Sequence, residues 1–214
     1  MPRRKNCQVH QQEQLPKGSK AKPGPLFFYM PNATHGEFCQ WYPCTFTVSR
    51  DEIFRLVGHT TRTTSDDPDL DIKFNCSEQF MMYCKAAHFE DTDRQTRVLA
   101  SDNPKEQKRL GKLTVGFTEQ NWRPIKSLVV EAGNMAKFGQ NIHLRRKLLA
   151  TGDRLLCEAA SRDRVWGIGY SEKHAMNHQI HWGENRLGKA LMAVRERLRH
   201  AEEAEMQDHW HHWR

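Results

Sequence analysis

Two patterns of apolar and polar positions run along this chain, and together they predict a mainly α fold with a minor β component. Short aromatic and β-branched runs at residues 26–30 and 44–48 are bounded by Pro and Asn, which predicts two strands that pair with each other. Residues 49–52 form a capping box ahead of an apolar run, so a short helix is expected up to Gly58. The polar residues 60–69 predict a surface loop.

From residue 75 onward the pattern becomes helical. A capping residue is followed three positions later by Glu or Gln at three places, which are Asn75 and Glu78, Thr92 and Gln95, and Asn103 and Glu106. We therefore expect three successive helices there, followed by helices at 121–141 and 143–151, the second of which ends at Gly152. A last helix is predicted by apolar residues at helical spacing, namely Leu187, Leu191, Val194 and Leu198.

The composition is typical of a single globular domain. The 214 residues are 37% hydrophobic and 28% charged. No apolar run approaches the roughly 18 residues that a membrane span needs, and no apolar signal-peptide segment follows the basic N-terminus. We therefore expect a cytoplasmic or nuclear protein without membrane contact. The six cysteines contain no C-x-x-C pair, so reduced thiols are expected.

The net charge of +7 is unevenly distributed. Residues 1–25 hold six Lys or Arg against one Glu, a net +5, so the remaining body carries only +2 and is unlike a domain with a DNA-binding stripe. We expect 1–25 to form a disordered basic arm with weak affinity for nucleic acid, 26–206 to form the domain, and 207–214 to form a C-terminal tail. The tail histidines lack zinc-site spacing, so no metal site is expected.

One predicted helix carries charges within an apolar sequence. Glu78 and Lys85 are set among Phe, Met, Tyr, Cys and Ala residues, and seven residues at 100° each place these two charges about 20° apart on one helix face. They are expected to line one cavity. Burial lowers a lysine pKa toward the range in which the free amine is a nucleophile, whereas a lysine at the edge of the core extending its amine to water fits the same pattern equally well.

A second cluster lies in residues 161–169, where Asp163 and Trp166 precede Gly167 and Gly169. Loops commonly hold functional sites, but Gly-x-Gly without a strand–turn–helix context is weak evidence for phosphate binding. Asp163 is equally compatible with a turn residue. Trp166 is equally compatible with stacking on a base and with packing in the core.

Seven segments follow one another along the chain: 77–82 with Lys85 and Ala86, Asn121 with Trp122, 135–141 with Leu144, 148–152, Glu158, 163–169 and 183–195. Taken together they resemble the NADAR superfamily, to which the YbiA-like N-glycosidases belong, over most of residues 27–198. The sequence departs from that pattern at Cys39 and Gln40, where many relatives have serine and asparagine, and residues 52–70 resemble an insertion.

The resemblance implies a single compact NADAR/YbiA-like domain that hydrolyses a ribosyl C1–N bond without a cofactor. Two activities are associated with such proteins. One is removal of ADP-ribose from guanine bases of DNA or RNA, which the stand-alone domain and the basic arm favour. The other is hydrolysis of ribosylaminopyrimidine phosphate intermediates of riboflavin biosynthesis. A non-catalytic ADP-ribose-binding module is a further alternative, and a monomer is expected.

For the reaction, we hypothesise that Lys85 attacks C1 of the ribose and forms an imine, a Schiff base that water hydrolyses. Glu78 or Asp163 would move the protons and orient the ribose hydroxyls.

The resemblance also suggests substrate contacts. We expect Lys137, Arg186 and the helix start at Asn185 to bind the diphosphate, Trp122 and Trp166 to stack on a base, and Asn141 and Asn185 to bind sugar hydroxyls. Structural roles are equally open for Lys137, as an anchor at a helix end, and for Asn185, as an N-cap. The other expected contacts are Phe28, Glu37, Gly167 and Gly169.

Overall fold

A computed structural model describes residues 23–59 and 71–211 of the chain, with side chains described up to residue 207. Most of the predicted basic arm, the predicted loop at 60–69 and the last residues of the predicted tail lie outside the described residues. Within the described part, no helix is both long and apolar enough to cross a membrane.

Helices make up most of the described chain, as predicted. The α-helices are α1 (Arg50–Val57), α2 (Ser77–His88), α3 (Thr92–Leu99), α4 (Pro104–Lys112), α5 (Glu119–Trp122), α6 (Lys126–Gln140), α7 (Ile142–Leu149), α8 (Glu172–Ala175) and α9 (Arg186–His211). Two 3₁₀ helices lie at Gly36–Phe38 and Met176–His181. The last α-helix therefore continues beyond residue 206, into the segment expected to be a tail.

The β component consists of two small sheets. Strand β1 (Leu26–Phe28) pairs in parallel with β4 (Leu156–Glu158), and Phe28 lies opposite Glu158. Strand β2 (Phe46–Ser49) pairs antiparallel with β3 (Asp71–Phe74). The predicted pairing of the two N-terminal strands with each other is therefore wrong. Strands β1 and β4 have three residues each, which is too short to show a periodic pattern. A strand pattern also does not by itself identify the partner strand.

Helix α2 is the centre of the core, and all of its residues except His88 are buried. It packs against α1, α3, α4 and α6, and α6 packs in turn against α9. The close approach of α2 and α6 depends on Gly133, because a Cβ there would lie 2.5 Å from the Phe80 ring. The helix that carries the candidate charges is thus buried on most sides, as its composition predicted.

Local capping residues were predicted well at two helices. The Ser49 hydroxyl accepts from the Glu52 N–H at the start of α1, which ends at Gly58 with a φ of 83°. The Asn103 side chain accepts from the Lys105 N–H at the start of α4.

Other predicted boundaries are wrong. The N-cap of α2 is Cys76 and that of α3 is Asp91, whose carboxylate accepts from the Arg94 N–H. The helix expected at 121–141 is split into α5 and α6 around Pro124, which lacks the N–H that a continuous helix needs. The five cysteines in the described residues are free thiols, as expected.

Gly188→Ala is expected to destabilise the protein because α9 begins directly against β4. A Cβ at this position would lie 2.1 Å from the Leu156 carbonyl oxygen and 2.5 Å from the Asn185 side chain. Overpacking of this kind costs about 1–3 kcal/mol in free energy of unfolding. Thermal unfolding should show a midpoint several degrees lower. Gly139→Ala is the matched control, since nothing lies within 4 Å of its Cβ and an alanine in a helix should stabilise. Equal unfolding midpoints for the two variants would contradict the close packing of α9 on β4.

Candidate active site

A cavity of about 740 Å³ opens beside α2, in the range typical of small-molecule sites. The residues that line it come from the turn after β1, the loop before β2, helices α2, α4, α5, α6 and α9, the end of β4 and the loop that follows it. They are Tyr29, Met30, Cys39, Gln40, Trp41, Glu78, Met81, Met82, Lys108, Glu119, Lys126, Glu158, Ala160, Arg162, Asp163, Arg164, Val165, Trp166 and Leu187.

Besides Glu119, which is paired with Lys126, three carboxyl groups line this cavity, namely those of Glu78, Glu158 and Asp163. Burial raises the pKa of Glu78, although Lys108 and a hydrogen bond from Trp41 Nε1 to Glu78 Oε2, 3.2 Å long, act in the opposite direction. Burial, together with the nearby charges of Asp163 and Glu78, raises the pKa of Glu158 to about 8, although Lys108 acts in the opposite direction. Glu158 is therefore mostly protonated at neutral pH, and its buried Oε2 has no hydrogen-bond partner among the described residues.

Asp163 is held in a tight turn. Its Oδ1 accepts the backbone N–H groups of Val165 and Trp166, at 2.9 and 2.8 Å. The same carboxylate raises the pKa of both Glu158 and Glu78, so its charge reaches both groups. Asp163 is thus a turn residue and also part of the cavity wall. The turn role and a position in the candidate site, both left open by the sequence, are therefore compatible.

The position of Glu158 is fixed by its strand and by Asn185. The Asn185 side chain accepts from the Glu158 N–H at 3.2 Å and donates to the Leu156 carbonyl at 2.8 Å. Its φ of 50° lies in the left-handed region, which asparagine tolerates better than most residues. A Cβ at Gly167 would lie 2.8 Å from the Glu158 carbonyl oxygen, so the loop can pass only because this residue is glycine. Asn185 and Gly167 therefore position Glu158 rather than line the cavity.

Four cationic side chains line the cavity. Lys126 is neutralised by Glu119, with Nζ and Oε1 2.6 Å apart. The Arg164 guanidinium donates to the His181 carbonyl at 2.6 Å. Within the described residues, Lys108, Arg162 and Arg164 form no ion pair, so their charges are available to an anionic ligand.

Aromatic side chains supply the stacking surfaces. Tyr29, Trp41 and Trp166 line the cavity, and the Lys108 amine lies 5.9 Å from the centre of the Trp41 ring. Trp122, in contrast, is buried in the core beside His88, with ring centres 6.1 Å apart. Of the two predicted stacking residues, the structure brings only Trp166 to the cavity.

Lys85 does not line the cavity, contrary to the expectation that it shares one with Glu78. Its Nζ lies 3.6 Å from the centre of the Phe117 ring. Burial lowers the pKa of Lys85 to about 8, and Lys112 and Lys126 lower it while Glu119 raises it. Because Glu119 and Lys126 belong to the cavity wall, the amine lies just behind that wall. It therefore combines a depressed pKa with a position next to the site.

Lys137, predicted to bind a diphosphate, is an internal support. It is fully buried, burial lowers its pKa, and its Nζ donates to the Cys39 carbonyl at 3.0 Å. This bond joins α6 to the loop that carries Gln40 and Trp41 into the cavity. The role as an anchor at a helix end is therefore the one that the structure supports.

The remaining predicted contacts also lie outside the cavity. Phe28 is buried in the core. The Asn141 amide donates to the Thr45 and Lys137 carbonyls at 3.1 and 2.8 Å. Glu37 forms an ion pair with Lys147. Arg186 forms an ion pair with Glu184 and donates to the Ser127 hydroxyl. Gly169 packs closely against Arg164, because a Cβ there would contact the Arg164 side chain.

The structure brings together three of the predicted site residues, Glu78, Asp163 and Trp166, and adds others that sequence reasoning missed. Glu158 is one of the positions that carry the family resemblance, but it was assigned no function from the sequence. A carboxylate at the end of a buried strand is the sequence signal that could have identified it as a site residue. Four further residues of the cavity wall can stack on or bind a ligand and were not predicted, namely Trp41, Lys108, Arg162 and Arg164. In the described chain, no three His, Cys, Asp or Glu side chains are grouped so that they could hold a metal ion.

Comparison with known proteins agrees with this architecture. The NADAR domain family model matches residues 27–199. The chain is 32% identical over 163 residues to a protein named N-glycosidase from Acanthamoeba polyphaga mimivirus, an alignment that covers 74% of this chain and 85% of that protein. It is 30% identical over 174 residues to a protein named riboflavin biosynthesis protein from Vibrio vulnificus, covering 81% of this chain but 38% of the relative. The NMR structure of the E. coli protein YbiA is similar with a TM-score of 0.61 and 25% identity, covering 84% of this chain and 87% of that one.

Proposed function

The chain belongs to the NADAR family and is a hydrolase of the N-glycosidase class, and from this premise we propose that it removes ADP-ribose from guanine bases of nucleic acid. The proposal rests on one observation above all. One cavity holds the Glu158 carboxyl group, whose pKa is raised to about 8, and two further carboxyl groups at Glu78 and Asp163, beside stacking surfaces and cations that have no ion-pair partner among the described residues.

Cleavage of a ribosyl C1–N bond needs an acid for the departing base and a group that stabilises positive charge on the ribose. The departing base must gain a proton as the bond breaks, and the ribose carbon gains positive charge in an oxocarbenium-like transition state. Glu158 is suited to donate the proton, because its raised pKa of about 8 keeps it protonated at neutral pH. Asp163, which accepts two backbone N–H groups, is suited to stabilise the positive charge and to orient the ribose hydroxyls.

Lys85 is our proposed nucleophile. It follows Glu78, Met81 and Met82 on the face of α2 that lines the cavity, one turn further along the helix. The proposed attack requires the Lys85 side chain to turn from the Phe117 ring, where its Nζ lies 3.6 Å from the ring centre, toward the cavity. The free amine forms a bond to C1 as the bond from C1 to the base breaks, and the base leaves with the proton of Glu158. The attached amine then returns a proton to the Glu158 carboxylate, the bond from C1 to the ring oxygen breaks to give the imine, and water hydrolyses the imine to release the sugar and the free lysine.

The charges of the cavity wall support a diphosphate substrate. Lys108, Arg162 and Arg164 offer three cations without an ion-pair partner in the described residues, which is more than a single phosphate needs. Tyr29, Trp41 and Trp166 offer more than one ring face, which suits a ligand with two bases. Both features favour ADP-ribosylguanine over a ribosylaminopyrimidine phosphate.

A ribosylaminopyrimidine phosphate is the second candidate substrate. Its support is the relative from Vibrio vulnificus, which is named a riboflavin biosynthesis protein. A non-catalytic ADP-ribose-binding module is less well supported, since binding alone does not require a buried carboxyl group with a raised pKa beside two others.

The test is a side-by-side incubation of the purified protein with guanine-ADP-ribosylated DNA and with the ribosylaminopyrimidine phosphate. Mass spectrometry follows the released ADP-ribose and the released base. We expect turnover of the modified DNA. Turnover of the pyrimidine substrate alone would reject the proposed substrate and retain the N-glycosidase. ADP-ribose binding without turnover of either would favour the binding module.

A further inference from the structure

Helix α4 carries an unpaired cationic face. Lys105, Lys108 and Lys112 are all exposed, and seven residues at 100° each place the first and last about 20° apart around the helix, with Lys108 about 60° away. Their Cα atoms span roughly 10 Å along the helix axis. None of the three forms an ion pair with a described residue. Arg109, between them, is instead held by both carboxylate oxygens of Glu106, each at 2.7 Å.

This lysine face leads into the cavity. Lys108 is part of the cavity wall, and its charge reaches the two buried carboxyl groups of Glu78 and Glu158. Arg162 and Arg164 add two more cations from the loop after β4. Lys108 therefore links the exposed lysine face of α4 to the cavity that holds the groups proposed to do the chemistry.

Lys105 and Lys112 do not line the cavity, so a free nucleotide bound inside it has no need of them. A substrate with further phosphates beyond the reacting nucleotide would meet them. We propose that the lysine face of α4, formed by Lys105, Lys108 and Lys112, is a track for the phosphate backbone of a polynucleotide strand whose modified base enters the cavity. The proposal rests on the proposed function and specifies its substrate as polymeric.

The lysine face of α4 differs from the sequence-based expectation that the folded body has no cationic surface for nucleic acid. The body of the chain carries a small net charge, which predicted no folded nucleic-acid surface. A small net charge does not prevent a local cationic face, because acidic residues elsewhere on the fold balance it. On α4, the one acidic residue, Glu106, is paired with Arg109 and leaves the three lysines unbalanced.

The test is binding of an unmodified, fluorescein-labelled, single-stranded 20-nucleotide DNA to the full chain, measured by fluorescence anisotropy at several salt concentrations. Lys105→Gln/Lys112→Gln is compared with the control Arg146→Gln/Lys189→Gln, which removes two exposed cations from α7 and α9. Each phosphate contact on a single strand contributes about 0.7 to the slope of log Kd against log salt. We expect the α4 variant to lose about 1.4 in slope and roughly tenfold or more in affinity at low salt, and the control to lose much less.

Equal losses in the two double variants, or no loss in either, would overturn the track. Unfolding midpoints within about a degree of wild type for both variants would show that folding is not the cause. Because the probe is unmodified, the measurement needs no turnover. A selective loss in the α4 variant, together with no release of base from modified DNA by the wild-type protein, would retain the track and reject the proposed activity.

Discussion

Glu158→Gln is expected to lower kcat/KM for base release by about 10²–10⁴, the usual contribution of a general acid. Glutamine keeps the size and the neutral charge that Glu158 has at neutral pH, but it cannot give a proton to the departing base. The measurement is steady-state release of base from the substrate found in the side-by-side incubation. Glu131→Gln, which alters a carboxylate paired with Arg197 at 2.7 Å outside the cavity, is the control and should stay near wild type.

The pH dependence provides a second readout of the same group. Since Glu158 must be protonated and Lys85 must be a free amine, wild-type turnover should follow a bell-shaped pH profile with its maximum near pH 8. The rising limb reports the loss of a proton from Lys85, and the falling limb above about pH 8 reports the loss of the proton from Glu158. Stability should also fall as the pH rises from the unfolded pKa of the carboxyl group to about 8, because in this range the unfolded state has lost the proton that Glu158 still holds in the folded state. Glu158→Gln should lack this loss of stability. Wild-type turnover in the variant, or an unchanged alkaline limb, would reject Glu158 as the acid.

Lys85→Arg is expected to reduce turnover about 10³-fold or more, since arginine retains the positive charge but cannot form an imine. The same substitution should abolish a covalent adduct that borohydride traps in the wild-type protein during turnover. Intact-mass measurement detects the reduced adduct, and peptide mapping assigns it to a lysine.

Lys126→Arg is the control for this experiment because Lys126 lines the cavity and is already paired with Glu119. It should still give the trapped adduct at Lys85. An adduct that maps to Lys126 would transfer the role of nucleophile to that residue. Turnover without any trapped adduct, and with Lys85→Arg still active, would instead indicate a route through the carboxylates alone.

The features of the fold that could be predicted depend on interactions between residues close together in the sequence. The caps at Ser49 and Asn103 and the burial of α2 depend on hydrogen bonds and apolar spacing that the sequence displays directly. Strand pairing was not predictable in this way. Strand β1 pairs with residues 130 positions further along the chain, and three-residue strands provide too little pattern to identify such a partner.

Site residues were likewise predictable where the signal is local in the sequence and unpredictable where it depends on long-range contacts. Glu78 could be found because a carboxylate within an apolar helix stands out, and Asp163 and Trp166 could be found because they precede glycines in a loop. Lys137 could not be assigned, because its buried amine binds the carbonyl of Cys39, 98 residues earlier in the chain. The sequence reveals that a lysine is set among apolar residues, but only the fold shows whether its amine faces a ligand or a carbonyl.

The parallel pairing of β1 with β4 has a consequence for synthesis of the protein. Leu26 and Phe28 leave the ribosome long before Leu156 and Glu158 are translated. At about 5–20 residues per second, the delay is on the order of ten seconds. During that time the apolar side of β1 has no strand partner. The carboxyl group of Glu158 reaches its place only when this pairing forms, so a released but incompletely folded chain should be inactive.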